Sequence, residues 1–183
     1  MTALGTSLRL ATLGIVIIAT VAGIDRLTRA RILAAEQRAT ARLYVELTGD
    51  ERIRHVAGRL TPPMRICTPA RALALSVYRA TAKGYAGMIQ LLVAVDAAGT
   101  VTGVRAIQHR ETRGIGDVID LRRSDWIRGF DGSTAASLTT AESRVHIVSG
   151  ASITTSAIID AVHNTLESAA VSPSQGCSHV FDH

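Results

Sequence analysis

Residues 10–24 carry no charged side chain: Leu-Ala-Thr-Leu-Gly-Ile-Val-Ile-Ile-Ala-Thr-Val-Ala-Gly-Ile. As a helix this run is about 22 Å long, short of the roughly 30 Å hydrocarbon core of a bilayer. Residues 2–8 are also uncharged, and Arg9 can carry its guanidinium to headgroup level on an aliphatic stem. Residues 2–24 are therefore predicted to span a membrane. A cleaved secretory signal is the competing reading, with Ala19, Ala22 and Gly23 as small residues near its end. The helical pattern continues without a breaker through Arg26, Leu27, Arg31, Leu33 and Glu36, which favours an uncleaved anchor. Arg26, Arg29 and Arg31 follow the span while only Arg9 and the amino terminus precede it. By the positive-inside rule alone, the rest of the chain would face the cytoplasm.

Beyond Asp25, residues 26–50 read as a helical extension with a modest apolar stripe, ended by Thr48-Gly49-Asp50. Residues 51–68 contain Pro62-Pro63 and read as a loop or broken surface connection. Leu73, Leu75, Val77 and Tyr78 suggest a strand within 70–82. Residues 88–96 are strongly apolar, Ala97-Ala98-Gly99 turns the chain, and Val101, Val104 and Ile107 bring it back as an antiparallel hairpin. Residues 145–149 read as a short β-run that breaks at Gly150. A helix is predicted to follow, because Ile158, Ile159, Val162 and Leu166 recur at helical spacing. Strands, a late helix and no βαβ alternation predict an α+β fold: a transmembrane helix, then a single domain with an antiparallel sheet and packed helices. The expected divisions are an anchor at 1–25, the helical extension at 26–50, the domain at 51–170 and a polar, disordered tail at 171–183.

The formal net charge is +5, and Lys83 is the single lysine. Basic residues are scattered and aromatics are 3% of the chain, so no stacking platform or recognition helix for nucleic acid is legible. Cys67 and Cys177 lack metal-ligand spacing, although a disulfide between them is open outside the cytoplasm. His109, His146 and His163 read as structural residues. No Ser–His–Asp arrangement can be argued, so no catalytic residue is predicted.

The chemistry points to the turn at Gly150. Ser149, Ser152, Thr154, Thr155 and Ser156 crowd a predicted helix start. There the first backbone N–H groups lack internal partners, and the helix dipole favours an anion such as a phosphate. Local composition alone favours plain helix capping by these hydroxyls.

Ser149-Gly150-Ala151-Ser152 resembles the Ser/Thr-Gly-Ala-Thr motif of covalent FMN-binding domains, in which a flavin transferase esterifies the last hydroxyl with the phosphate of FMN. Upstream, His109-Arg110-Glu111-Thr112-Arg113-Gly114-Ile115-Gly116-Asp117 resembles the His-Lys-Glu-Thr-Pro-Gly-Leu-Gly-Asp segment of the G subunit of the Rnf electron-transport complex. It is similar, more distantly, to the C subunit of the sodium-pumping NADH:quinone oxidoreductase. Gly84-Tyr85-Ala86-Gly87-Met88-Ile89 and the Trp126-x-x-x-Phe130 element match the same family, and the resemblance covers roughly residues 8–170. Here Ser152 replaces the usual Thr, His146 an upstream acid, and Arg113 the usual Pro.

The resemblance implies FMN attached covalently to Ser152, with Ser149, Gly150, Ala151, Thr154 and Thr155 around the phosphate. Thr154 or Thr155 would be the acceptor in an offset register. Glu111 and Thr112 would contact the ring or ribityl chain, Gly114, Ile115 and Gly116 would lie against the isoalloxazine, and Trp126 would form a pocket wall. The implied protein is an electron-carrying subunit of an Rnf-type complex, with other membrane and redox subunits, the lipid bilayer and a flavin transferase as partners. It would be single-pass in a bacterial inner membrane with its domain in the periplasm, against the positive-inside expectation. Two alternatives stay open: a tethered FMN-domain sensor or accessory reductase outside such a complex, and a flavin-free tethered binding domain.

Overall fold

A computed structural model describes residues 3–51, 53, 62–68, 73–140 and 143–171. The expectations for the polar tail beyond Val171 and for a Cys67–Cys177 disulfide fall outside the described residues or side chains. The chain divides into two compact units, residues 1–39 and 40–183.

Helix α1, Ala3–Thr48, begins in the first unit. From Ala11 onward its length and hydropathy suit it to cross a membrane. Ile15, Val16, Ile18 and Val21 are all more than half exposed, as residues facing lipid must be. Thr20 and Thr28 satisfy their hydroxyls within the helix: Thr20 Oγ1 donates to the Val16 carbonyl and Thr28 Oγ1 to the Ile24 carbonyl, both at 2.7 Å.

The second unit is built on a four-stranded antiparallel sheet in the order β1 (Met64–Thr68), β2 (Leu73–Lys83), β3 (Met88–Val95), β4 (Val101–Gln108). The α+β expectation holds. Side chains alternate across a strand, and β3 buries both sets. Leu91, Val93 and Val95 face a core shared with Ile158, Val162 and Leu166 of α3 (Ser152–Val171). Leu92 and Ala94 face a second core with Ala41, Tyr44 and Leu47 from the last turns of α1. A strand buried on both faces has no polar side, which is why residues 91–95 read as an unbroken apolar run. Each of the three large α3 anchors contributes about 1.5–3 kcal/mol through burial.

Two sequence expectations need correction. The stretch expected to be an irregular connection ends in β1, which pairs with β2 from Met64↔Val77 to Thr68↔Leu73. The β-run expected at 145–149 is not a strand. It is extended chain without a ladder partner, held by side chains described below. Between β4 and α3 the chain forms short 3₁₀ segments at Gly116–Ile119 and Trp126–Phe130 and the one-turn helix α2, Ala135–Leu138. Trp126 and Phe130 meet edge-to-face with ring centroids 5.5 Å apart.

Candidate functional site

Helix α3 opens without a capping side chain. Gly150 sits at φ +85°, a backbone region that costs an ordinary residue energy. The next residue, Ala151, holds the cap position: its carbonyl accepts from Thr155 N at 2.9 Å, but it has no side-chain acceptor. The N–H groups of Ser152, Ile153 and Thr154 precede the first intrahelical bond and remain open to an anion. The expectation that the crowded hydroxyls serve as caps is thereby corrected: the cap position belongs to an alanine, and the threonines are engaged elsewhere.

Thr154 is buried, and its Oγ1 donates to Glu111 Oε2 at 2.5 Å. Thr155 is fully buried; its Oγ1 accepts from Val148 N at 3.2 Å and donates to the Ala151 carbonyl at 3.0 Å. Ser152 is exposed, and its hydroxyl has only a long 3.5 Å contact to the Val148 carbonyl. Ser149 is exposed as well. One turn of helix thus sorts the hydroxyls into two locked in the core and one facing outward at the open helix start.

Glu111 ties three distant segments together. Its Oε1 accepts from Ala86 N at 3.0 Å in the β2–β3 turn, while its Oε2 holds Thr154. Glycine is required on both sides of this carboxylate. A Cβ at Gly84 would lie 2.5 Å from Glu111 Oε1, and one at Gly116 2.8 Å from its Oε2. Glu111 is buried, with both oxygens committed within the protein. Thr112 is exposed, and its carbonyl accepts from Ile115 N and Gly116 N, closing a tight loop. Asp117 Oδ1 braces that loop by accepting from Gly114 N at 2.9 Å. Ile115 projects from its tip, 55% exposed.

The two motif regions meet across an open cleft of about 470 Å³. Gly114 and Ile115 line one side, Val148, Ser149 and Gly150 another, with Arg113, Asp117, Val118, Arg123 and Ser124 completing it. Among the predicted residues the cleft gathers Gly114, Ile115, Ser149 and Gly150. Ser152, Ala151, Thr154, Thr155, Thr112, Gly116 and Trp126 stand outside its lining. Glu111 lines an adjoining cleft of about 520 Å³ with His109, Asp120 and Arg122, which shares Arg113, Asp117 and Arg123 with the first. Trp126 acts through its indole nitrogen, which donates to the His146 carbonyl at 2.8 Å. With Thr155 Oγ1 on Val148 N, this bond holds the extended 145–148 segment beside the cleft. His146 contributes its backbone, and its side chain is exposed. Sequence reasoning missed Val118, Arg123 and Ser124, which lie in irregular chain where no periodicity marks them.

Two carboxylates of this domain, Asp120 and Asp131, are set apart by their neighbours. The paired Arg122 guanidinium, 2.9 Å from Asp120 Oδ2, holds the Asp120 carboxyl below its ordinary range. Asp131, next to Phe130 in the chain, is pushed up by burial, partly offset by Arg105, Arg128 and Arg144.

The volume suits a planar cofactor. The lining offers apolar contact from Ile115, Val118 and Val148 and cationic groups from Arg113 and Arg123, and its Ser149–Gly150 turn leads into the uncapped helix start, where a phosphate is favoured. Residues 84–167 match the sequence profile of the FMN-binding domain, so the fold and site define a flavin-binding module. The chain is 33% identical over 168 residues to the G subunit of the ion-translocating oxidoreductase complex of Pseudomonas aeruginosa UCBPP-PA14, covering 80% of this chain and 78% of that one. It is 42% identical over 98 residues to the G subunit of the same name from Pseudoalteromonas atlantica, covering 49% and 46%. The crystal structure of Shewanella oneidensis NqrC aligns over 53% of this chain and 55% of that one, with 22% identity and a TM-score of 0.40. The chain belongs to the family formed by the G subunits of ion-translocating oxidoreductase complexes.

Proposed function

We propose that this protein is an electron-transfer subunit of a membrane-bound, ion-translocating redox complex and carries FMN as a phosphoester on Ser152. The observation that carries the reading is the sorting of hydroxyls at α3: Thr154 and Thr155 are buried and bonded, whereas Ser152 faces outward at an uncapped helix start. A phosphate there would be met by the open N–H groups of the first turn. Ser149, Gly150 and Ala151 would shape the turn under it. Gly114 and Ile115 would lie against the ring, and Thr112 and Gly116 would set the loop that presents them. In this reading Thr154, Thr155, Glu111 and Trp126 serve by holding the helix start and the 145–148 segment in place.

FMN, when bound, supplies the capacity to accept and release electrons; the protein supplies position, solvent exclusion and local charge. The proposed layout has an anchor at 1–25 in a bacterial inner membrane, a helical extension at 26–50, the flavin domain at 51–170 in the periplasm and a polar tail at 171–183. The last turns of α1 contribute Ala41, Tyr44 and Leu47 to the domain core. Other membrane and redox subunits of the complex are the proposed electron partners, and a flavin transferase the maturation partner.

The test is co-expression of the full chain with a competent flavin transferase, followed by denaturing electrophoresis under ultraviolet light. A fluorescent band that is lost in Ser152→Ala and kept in Ser152→Thr supports the assignment. A band that survives Ser152→Ala and is lost in Thr155→Ala would move the attachment site. A dark wild-type band would end the covalent-flavin reading.

A further inference from the structure

We infer that Arg113 is an electrostatic tuning residue that raises the reduction potential of the flavin held in the neighbouring cleft. The inference rests on the reading of that cleft given above. Arg113 is exposed and borders both clefts, at the junction of the Glu111–Asp117 loop and the 148–150 turn. The other arginines of the junction already have carboxylate partners. Arg122 Nη2 lies 2.9 Å from Asp120 Oδ2, and Arg123 Nε lies 3.7 Å from Asp117 Oδ2. Asp117 and Asp120 are thus each matched by a cation, and Glu111 is committed to Ala86 and Thr154. Among the described residues, none forms an ion pair with Arg113. Arg113 is therefore the one arginine of the junction with no carboxylate in contact, whereas Glu111 is buried and bonded to neutral donors away from it.

Adding two electrons and one proton to a neutral isoalloxazine leaves it with one net negative charge. An unmatched cation beside the ring stabilises that product over the oxidised form, so the equilibrium shifts toward reduction. An uncharged residue at this place would supply no such stabilisation. Arg113 is thus a feature by which this chain would run at a higher potential than an otherwise equal domain.

The experiment is spectroelectrochemical titration of the purified, flavin-loaded full chain in detergent, with dithionite as reductant and ferricyanide as oxidant. Wild type is compared with Arg113→Lys, Arg113→Gln and Arg113→Glu, at low and at high salt. At a fixed ambient potential, Arg113→Gln should lower the ratio of reduced to oxidised flavin by about threefold or more, as expected for loss of one nearby, partly screened charge. Arg113→Glu should lower it further, Arg113→Lys should keep the wild-type ratio, and the differences should shrink as salt rises. Equal ratios across the charge series in fully flavinylated protein would overturn the inference while leaving the flavin site standing. A change that ignores charge, with Lys as deviant as Gln, would overturn it equally, because it would mean a packing role. Wild-type protein without covalent flavin would instead refute the reading beneath it.

Discussion

Replacing Thr154 by valine removes one hydroxyl and keeps the side-chain shape. In the native protein that hydroxyl donates to Glu111 Oε2 at 2.5 Å, in a region where both residues are buried. The variant leaves a carboxylate oxygen buried with no donor. A hydrogen bond to a charged group is worth about 1.5–3 kcal/mol, and an abandoned buried partner adds desolvation cost to its loss. A net loss of about 2 kcal/mol corresponds to a fall in Tm of roughly 6–10 °C for a domain of this size. Thr154→Ser is the control: it keeps the donor and deletes a methyl worth about 1 kcal/mol. Thermal unfolding of the full chain in detergent, followed by circular dichroism, measures both. Both variants should also retain covalent flavin, since Ser152 is untouched. A Thr154→Val protein that melts within about 1–2 °C of wild type would refute the claim that this pair pins α3 to the Glu111 loop.

Gly114 has φ +81° at the tip of the cleft loop, so Gly114→Val should cost about 1–2 kcal/mol of backbone strain. It should also alter the flavin absorption spectrum while the fluorescent band on a denaturing gel survives; an unchanged spectrum would reduce this loop to a plain turn. Asp120 is held below its ordinary carboxyl range by Arg122, so its stabilising contribution is complete above the unfolded value of 3.8 and is lost as pH falls through the lower folded value. Asp120→Asn should therefore be less stable than wild type at pH 6, by under about 1 kcal/mol for so exposed a pair, with the gap closing below pH 3.8 in chemical denaturation. Glu167 is exposed on α3, and Glu167→Cys should react with a membrane-impermeant maleimide in intact cells. Labelling only after lysis would contradict a periplasmic domain.

The elements that were legible in the sequence owe their pattern to local burial. The apolar run of β3 and the spacing of Ile158, Val162 and Leu166 announce one strand and one helix because those residues are the ones buried in the cores. β1 was not legible, because Met-Arg-Ile-Cys-Thr beside Pro62-Pro63 shows no strict alternation and becomes a strand only by pairing with β2. Val145 to Val148 alternates like a strand yet finds no edge to join; bonds from Trp126 and Thr155 hold it instead. At the site, Gly114 and Gly150, which line the cleft, were legible from motif alone. The inaccessibility of Thr154 and Thr155 was also readable in principle, since they precede Ile158 by four and three residues and so share its buried face. Arg123 and Ser124 approach the cleft through irregular turns, and no spacing rule reports that.

The central claim is a covalent bond at one oxygen, and mass spectrometry reads it directly. The full chain should be purified after co-expression with a flavin transferase, weighed intact, then digested and fragmented. The expected result is an added mass of one FMN less one water, localised by fragmentation to Ser152 and absent from Ser152→Ala. An unmodified mass in wild type despite an active transferase, or the same adduct localised to Ser149, Thr154 or Thr155, would contradict it.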